Sequence, residues 1–457
     1  MLYDFIIIDK NEKIPLYRQI YSSVRNSIEN GSLKKRTKLP SVRALSSDLN
    51  VSKTTVTAAY EQLCAEGYIK NKPQSGYYVE AEFNHLPKSF DEIATQKAET
   101  TLMYKYDFSG KSIDDSIINL TEWKKYVKEI LNKNFLMTSY GEAQGEYALR
   151  KALQKYSLGT RSVNTSSKNI IVGAGTQPLL YLLCALLGKD KKVAMASSSF
   201  VQSEFVFKSF GYEVSYFEND ESGVTIASLD KINPDIILIN PNFTEITGEN
   251  MPVTRRLELI KWADKNNTLI IEDDYNGELR YSTLPMPCVQ NYDTQNTVYL
   301  GSFSKVMLPS VRISYMVLPD KLIGKYAKIK GLTNQTASKT EQLALAKYIE
   351  NGKIDIHLRK ARRIYLEKSK LILKLIKKYF SKETAVIFNE TSLYVSVIPN
   401  FEFDRNKTDK ILSENSVVLM PHKNNDNVLN LSFSGISSEK IPDGIRLIYD
   451  AVCSSKA

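Results

Sequence analysis

Apolar side chains recur at helical spacing near the start of the chain and predict a first helix over residues 15–30. The residues on its apolar face are Leu16, Ile20, Val24 and Ile28. Ser41 and Ser52 are good N-cap residues, and they predict two further helices, the second of which ends at Gly67. Two short helices joined by a tight turn predict a helix-turn-helix, whose second helix can enter the major groove of DNA.

Two short runs with the composition of strands follow these helices, at residues 68–70 and 77–79. The sequence between them is Pro73-Gln74-Ser75-Gly76, and it predicts a hairpin that forms a wing along the DNA backbone or minor groove. A three-helix bundle with a hairpin and no role in DNA binding has the same periodicity. The pattern alone therefore leaves both interpretations open.

The remainder of the chain alternates helical patterns with short apolar strands, which is typical of an α/β domain with a mostly parallel sheet. The predicted strands are 169–172, 193–196, 236–239, 268–271, 298–300 and 313–318. The polar, aperiodic stretch 81–115 is predicted to be a linker. We therefore expect a small N-terminal domain and a much larger α/β domain.

Polar residues follow several of these strands, at the sheet edge where open α/β sheets bind ligands. The three segments are Gly173-Ala174-Gly175-Thr176-Gln177, Glu272-Asp273-Asp274-Tyr275 and Gly301-Ser302-Phe303-Ser304-Lys305. Lys305 can form a Schiff base with pyridoxal 5'-phosphate (PLP), and Asp273 can keep its ring nitrogen protonated. Ser302 and Arg312 can neutralise its phosphate. The alternative is that Lys305 is one of many solvated lysines.

Charge and cysteine usage restrict the partners of the chain. The formal net charge is +10, and residues 10–79 hold 12 Lys and Arg against 5 Asp and Glu, which favours a polyanionic partner for the N-terminal domain. The four cysteines and three histidines are scattered, so neither a metal site nor a disulfide framework is expected. The longest apolar stretch, 179–187, is about half of a membrane span, and no signal peptide precedes it. We expect a cytoplasmic protein without a membrane partner.

The N-terminal domain resembles the winged helix of GntR-type repressors. The matching sequence is KLPSVRALSSDLNVSKTTVTAAYEQLCAEGYI followed by SGYYV. The resemblance implies that the residues approaching double-stranded DNA are Ser41, Arg43, Ser52, Lys53, Thr54, Thr55 and Gly76, and Thr57 lies on the same outward face of the third helix. Arg43 and Lys53 are expected to contact mainly phosphate, which makes the affinity dependent on salt.

From about Tyr140 to its end, the chain resembles fold-type I aminotransferases. The sharpest matches are IIEDDYNGELRY and GSFSKVMLPSVR. The resemblance implies a Schiff base on Lys305, a bond from Asp273 to the pyridine nitrogen and Tyr275 near the ring hydroxyl. The full set expected around PLP is Gly175, Thr176, Gln177, Phe200, Asn242, Asp273, Tyr275, Ser302, Ser304, Lys305 and Arg312. Tyr140 is expected at the cofactor of a neighbouring subunit, which implies a homodimer.

The order of the two halves resembles that of the MocR/GabR regulators. It implies a winged helix over 1–80, a linker over 81–115, a PLP-binding large domain over 116–325 and a smaller C-terminal α/β lobe over 326–457. The expected function is transcription regulation, with a small-molecule effector sensed at Lys305.

Two positions depart from relatives that bind amino acids, which offer arginines to the substrate carboxylate. Gln202 and Asn430 stand at these positions, and a neutral amide binds a carboxylate more weakly than a guanidinium does. In the turn 240–248 the partner of the ring hydroxyl is left open among Asn240, Asn242 and Thr244. These changes argue against efficient transamination.

The departures favour a sensor of PLP itself, as in regulators of vitamin B6 synthesis. An amine ligand, as in regulators of efflux or cell-wall genes, is the second interpretation. The alternatives are an active aminotransferase with an accessory DNA-binding domain, and a DNA-binding protein whose large domain is an inert scaffold.

Overall fold

The computed structural model divides into two compact units, residues 1–102 and 103–457, which are described separately below. It describes residues 6, 8, 9, 12–82, 104–244, 246–281, 286–380, 383–388, 391–421 and 427–456.

The first unit contains three helices and an antiparallel hairpin, as the sequence predicts. They are α1 (Leu16–Glu29), α2 (Val42–Asp48), α3 (Lys53–Ala65), β1 (Ile69–Lys72) and β2 (Gly76–Val79). The Oγ atoms of Ser41 and Ser52 accept hydrogen bonds from the backbone N–H groups of Ala44 and Thr55, both at 3.1 Å, so both serines are N-caps. Apolar residues of all three helices pack into one core, and this packing orients α3 against α1 and α2.

The second unit is built on a seven-stranded mixed sheet with the order β4-β12-β11-β10-β9-β5-β6. The strands are β4 (Ile170–Gly173), β5 (Lys192–Met195), β6 (Glu213–Tyr216), β9 (Ile236–Ile239), β10 (Leu269–Asp274), β11 (Thr297–Ser302) and β12 (Ser314–Val317). Only β12 runs antiparallel to its neighbours, and the other pairs are parallel. The prediction of a mostly parallel sheet is confirmed. A short hairpin, β7 (Asn219–Asp220) and β8 (Gly223–Val224), follows β6.

Helices surround this sheet and continue into the C-terminal lobe. They are α4 (Leu120–Leu131), α5 (Asn134–Met137), α6 (Tyr147–Arg161), α7 (Thr176–Leu187), α8 (Val201–Ser209), α9 (Ile226–Ile232), α10 (Val253–Lys265), α11 (Asp320–Ile329), α12 (Lys339–Glu350), α13 (Lys353–Tyr379), α14 (Arg405–Glu414) and α15 (Ile441–Ser454). Short 3-10 turns lie at Gly277–Leu279, Pro309–Val311 and Lys330–Leu332. The strands of the sheet are buried between these helices, as parallel strands usually are, except for the edge strand β6, which is partly exposed.

The C-terminal lobe contains a three-stranded antiparallel sheet of β13 (Ala385–Phe388), β14 (Tyr394–Ile398) and β16 (Leu429–Ser432). A separate strand, β15 (Val417–Leu419), pairs in parallel with β3 (Tyr106–Phe108). The predicted linker over 81–115 is therefore too long at its C-terminal end. The reason is long-range pairing: the polar segment around β3 gains backbone partners more than 300 residues away.

A buried ion pair also assigns part of the predicted linker to the second unit. The Lys368 Nζ lies 2.6 Å from Asp114 Oδ2, and both side chains are nearly inaccessible to solvent. The segment 104–118 is therefore part of the second unit.

Within the residues that the structure describes, no helix combines the length and the apolar character that crossing a bilayer requires. In the same residues, no group of three or more His, Cys, Asp and Glu side chains is arranged to bind a metal ion.

Candidate functional site

A cavity of about 510 Å³ runs along the carboxyl ends of the strands of the large sheet. Nine of the residues predicted around the cofactor line it: Gly175, Thr176, Gln177, Phe200, Asp273, Tyr275, Ser302, Ser304 and Arg312. They come from the ends of different strands, so the parallel topology brings them together.

One part of the cavity combines a helix N-terminus with an arginine side chain. Gly175 is the N-cap of α7 and has φ +105°, and a Cβ at this position would lie 2.6 Å from Arg312 Nη2. Glycine therefore leaves room for the Arg312 guanidinium beside the N-terminus of α7 and tolerates this φ without strain. Arg312 is exposed, and it has no acidic partner in the part of the chain that the structure describes. Helix N-termini and arginines are the usual ligands of phosphate.

Two serine hydroxyls also line the cavity. Ser302 Oγ accepts hydrogen bonds from the Ser304 N–H at 3.3 Å and from Ser314 Oγ at 3.0 Å. Ser302 and Ser304 are half-buried and reach the cavity, where they offer further polar contacts to an anion.

Two adjacent aspartates at the end of β10 point in opposite directions, as successive residues of a strand do. Asp273 lines the cavity, and burial together with the charge of Asp274 raises its pKa to about 7. Asp274 faces the interior and is buried. It accepts hydrogen bonds from Arg161 Nε at 2.5 Å and Tyr299 Oη at 2.6 Å. A cationic ring nitrogen beside Asp273 would restore the charged form of that carboxylate.

The structure places Asn242 away from the cavity, and its predicted contact with the cofactor stays a prediction. Asn242 is buried and does not line the cavity. Its Nδ2 donates to Asp274, and its Oδ1 accepts from Arg161 Nη2 at 2.9 Å. The buried ion pair needs these polar partners, and it turns the amide away from the cavity. Of the three candidates in this turn, Asn240 and Thr244 line the cavity.

Lys305 lies beside the cavity but does not line it. Its Nζ donates to the Gly110 carbonyl and lies 3.5 Å from Ser434 Oγ, whereas the preceding residue, Ser304, faces the cavity. Burial lowers the pKa of Lys305 to about 8, against a smaller opposing effect of Asp107. An amine with a lowered pKa is a better nucleophile at neutral pH.

The aromatic residues Tyr275 and Phe200 also line the cavity. Burial raises the pKa of Tyr275 to about 12, so its hydroxyl keeps its proton at neutral pH. Phe200 is the half-buried N-cap of α8.

Tyr140 does not line the cavity of its own chain, and its side chain is fully exposed. Its contact with the cofactor of a neighbouring subunit stays a prediction.

The two positions that depart from amino-acid-binding relatives lie in different surroundings. Gln202 lines the cavity. Asn430 is buried in β16, and its Oδ1 accepts a hydrogen bond from Ser396 Oγ at 2.7 Å. Asn430 is therefore already bonded within the C-terminal lobe.

The C-terminal lobe contributes four cavity-lining residues that the sequence analysis did not predict. They are Thr391, Ser392, Tyr394 and Met420. No local motif marks them, because they follow the sheet of the large domain by more than 70 residues.

In the first unit, the predicted DNA-contacting residues gather at the start of the helix-turn-helix helices. Arg43, Lys53 and Thr54 are exposed, and Thr57 is half-buried. Ser52 Oγ lies 2.7 Å from the hydroxyls of both Thr54 and Thr55, in addition to capping α3. The cap therefore orders the residues that would meet base edges.

The wing carries a basic and aromatic cluster that sequence reasoning missed. Lys72 Nζ lies 4.8 Å and Lys38 Nζ 5.8 Å from the centre of the Tyr78 ring. Ser75 Oγ is 2.7 Å from Tyr78 Oη, and Gly76 opens β2 with φ +108°. The signal available in the sequence was the presence of lysines near an aromatic residue of the predicted wing.

Comparison with known proteins identifies both halves. Residues 16–79 match the family of bacterial regulatory proteins of the gntR family. The HTH-type transcriptional regulator YhdI of Bacillus subtilis (strain 168) is 33% identical over 456 residues, covering 97% of each chain. The probable rhizopine catabolism regulatory protein MocR of Rhizobium meliloti is 26% identical and covers 89% of this chain and 85% of its own.

Two further similarities extend the comparison. The HTH-type pyridoxine biosynthesis transcriptional regulator PdxR of Corynebacterium glutamicum is 27% identical over 80% of each chain. The multiple substrate aminotransferase from Thermococcus profundus superposes with a TM-score of 0.68 at 23% identity, over 80% of this chain and 98% of that structure. The latter similarity establishes the fold of the second unit. The chain belongs to the DNA-binding HTH-type transcriptional regulators of the MocR type, in which a GntR-family domain precedes a domain with the fold-type I aminotransferase fold.

Proposed function

We propose that this regulator binds PLP in the cavity of its second unit and that ligand binding beside Lys305 controls its affinity for DNA. The observation that carries the proposal is the shared cavity of Arg312 and Asp273, with the Lys305 amine next to it. One positive and one negative side chain in the same cavity match the phosphate and the ring nitrogen of PLP.

The residues present fit this cofactor. The space beside Gly175, which a Cβ would fill, and Arg312, which has no acidic partner among the described residues, suit a phosphate. Asp273 suits a protonated pyridine nitrogen, Phe200 offers an aromatic face to the ring, and Tyr275 offers a hydroxyl. Bound PLP supplies an aldehyde that reacts with amines and a ring that withdraws electrons. Lys305 would hold the aldehyde, for which its amine has to leave Gly110 and Ser434.

The proposed effector is PLP itself or an amine that reaches PLP. The similarity to PdxR, a regulator of pyridoxine biosynthesis by its name, supports PLP. Gln202 in the cavity, where amino-acid-binding proteins offer an arginine, supports a ligand without a carboxylate. We further propose a cytoplasmic homodimer in which the exposed Tyr140 reaches the neighbouring site.

Ligand binding would control the DNA affinity by shifting the regulator between two arrangements that bind DNA with different affinities. A coupling free energy of about 1–3 kcal/mol changes the affinity roughly 5- to 150-fold.

The test uses the full-length protein, PLP and a DNA fragment from the region upstream of its own gene. The wild type should gain a visible absorbance band with PLP, and its DNA affinity should change when PLP is added. Lys305→Ala should lose the band and the response to PLP. Lys265→Ala, which removes an exposed lysine at the end of α10, should keep both.

Each alternative has its own outcome. A wild type without the absorbance band points to an inert scaffold and refutes the proposal. Steady turnover of amino donors and keto acids, with no effect of PLP on DNA affinity, identifies an aminotransferase instead.

A further inference from the structure

Positive charge in the second unit is concentrated on the 27-residue helix α13. This helix holds ten Lys and Arg against two Asp and Glu, which gives it a net charge of +8. The whole chain has a net charge of +10, and residues 10–79 already contribute +7. The rest of the chain is therefore net acidic, so a general excess of basic residues does not explain the charge of α13.

Three of the ten basic side chains of α13 have structural partners. Lys368 is buried in the ion pair described above. Lys353 Nζ lies 3.5 Å from Glu122 Oε2, and Arg362 Nε donates to the Glu278 carbonyl at 2.8 Å. These contacts account for the basic residues on the packed side of the helix, and they do not involve the other seven.

The other seven basic residues form one exposed stripe along α13. Each lies three, four or seven residues from another member, and residues at these spacings share one face of a helix. None of them has an acidic side chain at ion-pair distance in the part of the chain that the structure describes. We call these seven exposed residues the basic stripe: Arg359, Lys360, Arg363, Lys370, Lys374, Lys377 and Lys378.

The stability of the helix does not explain the basic stripe. Cations interact favourably with the helix dipole only in the last turn, which the two C-terminal lysines of the stripe occupy. Arg359 with Arg363 and Lys370 with Lys374 are like charges four residues apart, and such pairs repel each other. Glu367 is exposed between these two pairs but is not at ion-pair distance from either. A ligand that neutralises the stripe would remove this repulsion.

The dimensions of the basic stripe suit a DNA duplex. From Arg359 to Lys378 it is about 28 Å long, at ~1.5 Å per helical residue. One turn of DNA is about 34 Å long, and the duplex carries one negative charge about every 1.7 Å along its axis. The stripe therefore matches a stretch of duplex in length and is opposite to it in charge.

We infer that the basic stripe of α13 is a second DNA-binding surface, which contacts the phosphate backbone beside the site that the winged helix reads. The GntR-family domain brings duplex DNA to this protein, so the polyanion that the stripe requires is at hand. Exposed lysines and arginines on phosphate add affinity without adding sequence specificity. DNA binding by the stripe does not depend on PLP and goes beyond the proposed function.

The experiment measures DNA affinity on a nested series of fragments. Fluorescence anisotropy follows binding of the full-length protein to labelled fragments from the region upstream of its own gene, each shortened by about one helical turn of ~10 bp. The wild type should lose affinity in two stages: first when the flank that the stripe contacts is removed, and then when the winged-helix site is cut. Measurement with and without PLP keeps the result independent of the proposed effector.

A quadruple variant removes the middle of the basic stripe: Arg359→Gln, Arg363→Gln, Lys370→Gln and Lys374→Gln. It should bind the longest fragment at least tenfold more weakly than the wild type and should lack the first stage. The slope of its log affinity against log salt should be smaller by about 2–4, at ~0.9 per lost phosphate contact. On the shortest fragment that still binds, the variant and the wild type should have equal affinities.

The matched control removes four exposed lysines from α6 and α11 and therefore has the same net charge: Lys151→Gln, Lys155→Gln, Lys325→Gln and Lys328→Gln. It should bind every fragment as the wild type does. Because all eight positions are exposed, both variants should keep the circular dichroism spectrum of the wild type.

Two outcomes would overturn the inference. Equal losses of affinity in the two quadruple variants would show that only the total charge of the protein matters. A stripe variant with the affinities and salt slope of the wild type would show that the basic stripe is a solvated surface or binds an acidic protein instead of DNA.

Discussion

Arg161 Nε lies 2.5 Å from Asp274 Oδ2, and this ion pair is buried directly behind Asp273, the carboxylate that faces the cavity. Arg161 also donates to the Met286 carbonyl at 2.7 Å and to Asn242 at 2.9 Å. One guanidinium thus joins α6, the end of β10 and the turn after β9. These elements border the cavity, so the pair supports the site from behind.

Replacing Arg161 should destabilise the second unit. Arg161→Met leaves the Asp274 charge buried without its cation, which typically costs about 3–5 kcal/mol. Urea denaturation of the full-length protein, followed by circular dichroism, measures the loss. Lys208→Met removes the exposed partner of Glu204 on α8 and should leave the unfolding free energy within error of the wild type. Similar losses in the two variants would contradict a stabilising role for the buried pair.

The raised pKa of Asp273 predicts how stability depends on pH without PLP. The folded-state pKa of about 7 lies above the ordinary value of 3.8, so the folded protein favours the protonated form. This contribution to stability is complete below the unfolded-state pKa and is lost as the pH rises through about 7.

Asp273→Asn removes the titration and should reduce the loss of unfolding free energy between about pH 5 and about pH 8. Glu272 and Glu278, whose pKa values are also raised to about 7 by burial, titrate in both proteins. The difference between wild type and variant therefore isolates Asp273. Identical pH profiles would show that Asp273 does not titrate in this range.

Gly175 should be required for tight binding of PLP. Gly175→Ala places a Cβ 2.6 Å from Arg312 Nη2 and should raise the Kd for PLP more than tenfold, which corresponds to about 1.4 kcal/mol. The Kd is measured by adding PLP to the protein and following the visible absorbance band. Gly188→Ala is the matched control at the other end of α7: its φ is +87°, and a Cβ there meets nothing within 4 Å. Equal effects of the two substitutions would assign the loss to backbone strain alone.

The dependence of DNA affinity on salt concentration should reveal the phosphate contacts of the DNA-binding unit. Arg43→Ala and Lys53→Ala should each reduce the slope of log affinity against log salt by about 0.9, because each contact releases counterions from DNA. Fluorescence anisotropy with a labelled promoter fragment at several salt concentrations gives the slope. Arg25→Ala is the control, since Arg25 already pairs with Glu29 at 2.8 Å on α1. An unchanged slope in Arg43→Ala and Lys53→Ala would remove both residues from the phosphate contacts.

The sequence by itself determined the features that depend on neighbouring residues. The caps at Ser41 and Ser52, the helix periodicity and six of the seven strands of the large sheet are local features, so the pattern predicted them. The edge strand β6 was not predicted. The polar segments after the strands were also predictable, because parallel strands place their carboxyl ends at one edge. Eight of the nine predicted cavity-lining residues follow from these local signals, and Phe200 was predicted from the family resemblance.

Only the tertiary structure decided where longer-range partners lie. β3 left the predicted linker because β15 offers it backbone hydrogen bonds, and Asn242 turned inward because the Arg161–Asp274 pair requires polar partners. Lys305 turned toward Gly110 and Ser434, which lie more than 100 residues away from it in the chain. Each of these contacts joins residues far apart in the chain, and no local pattern of apolar and polar positions records them.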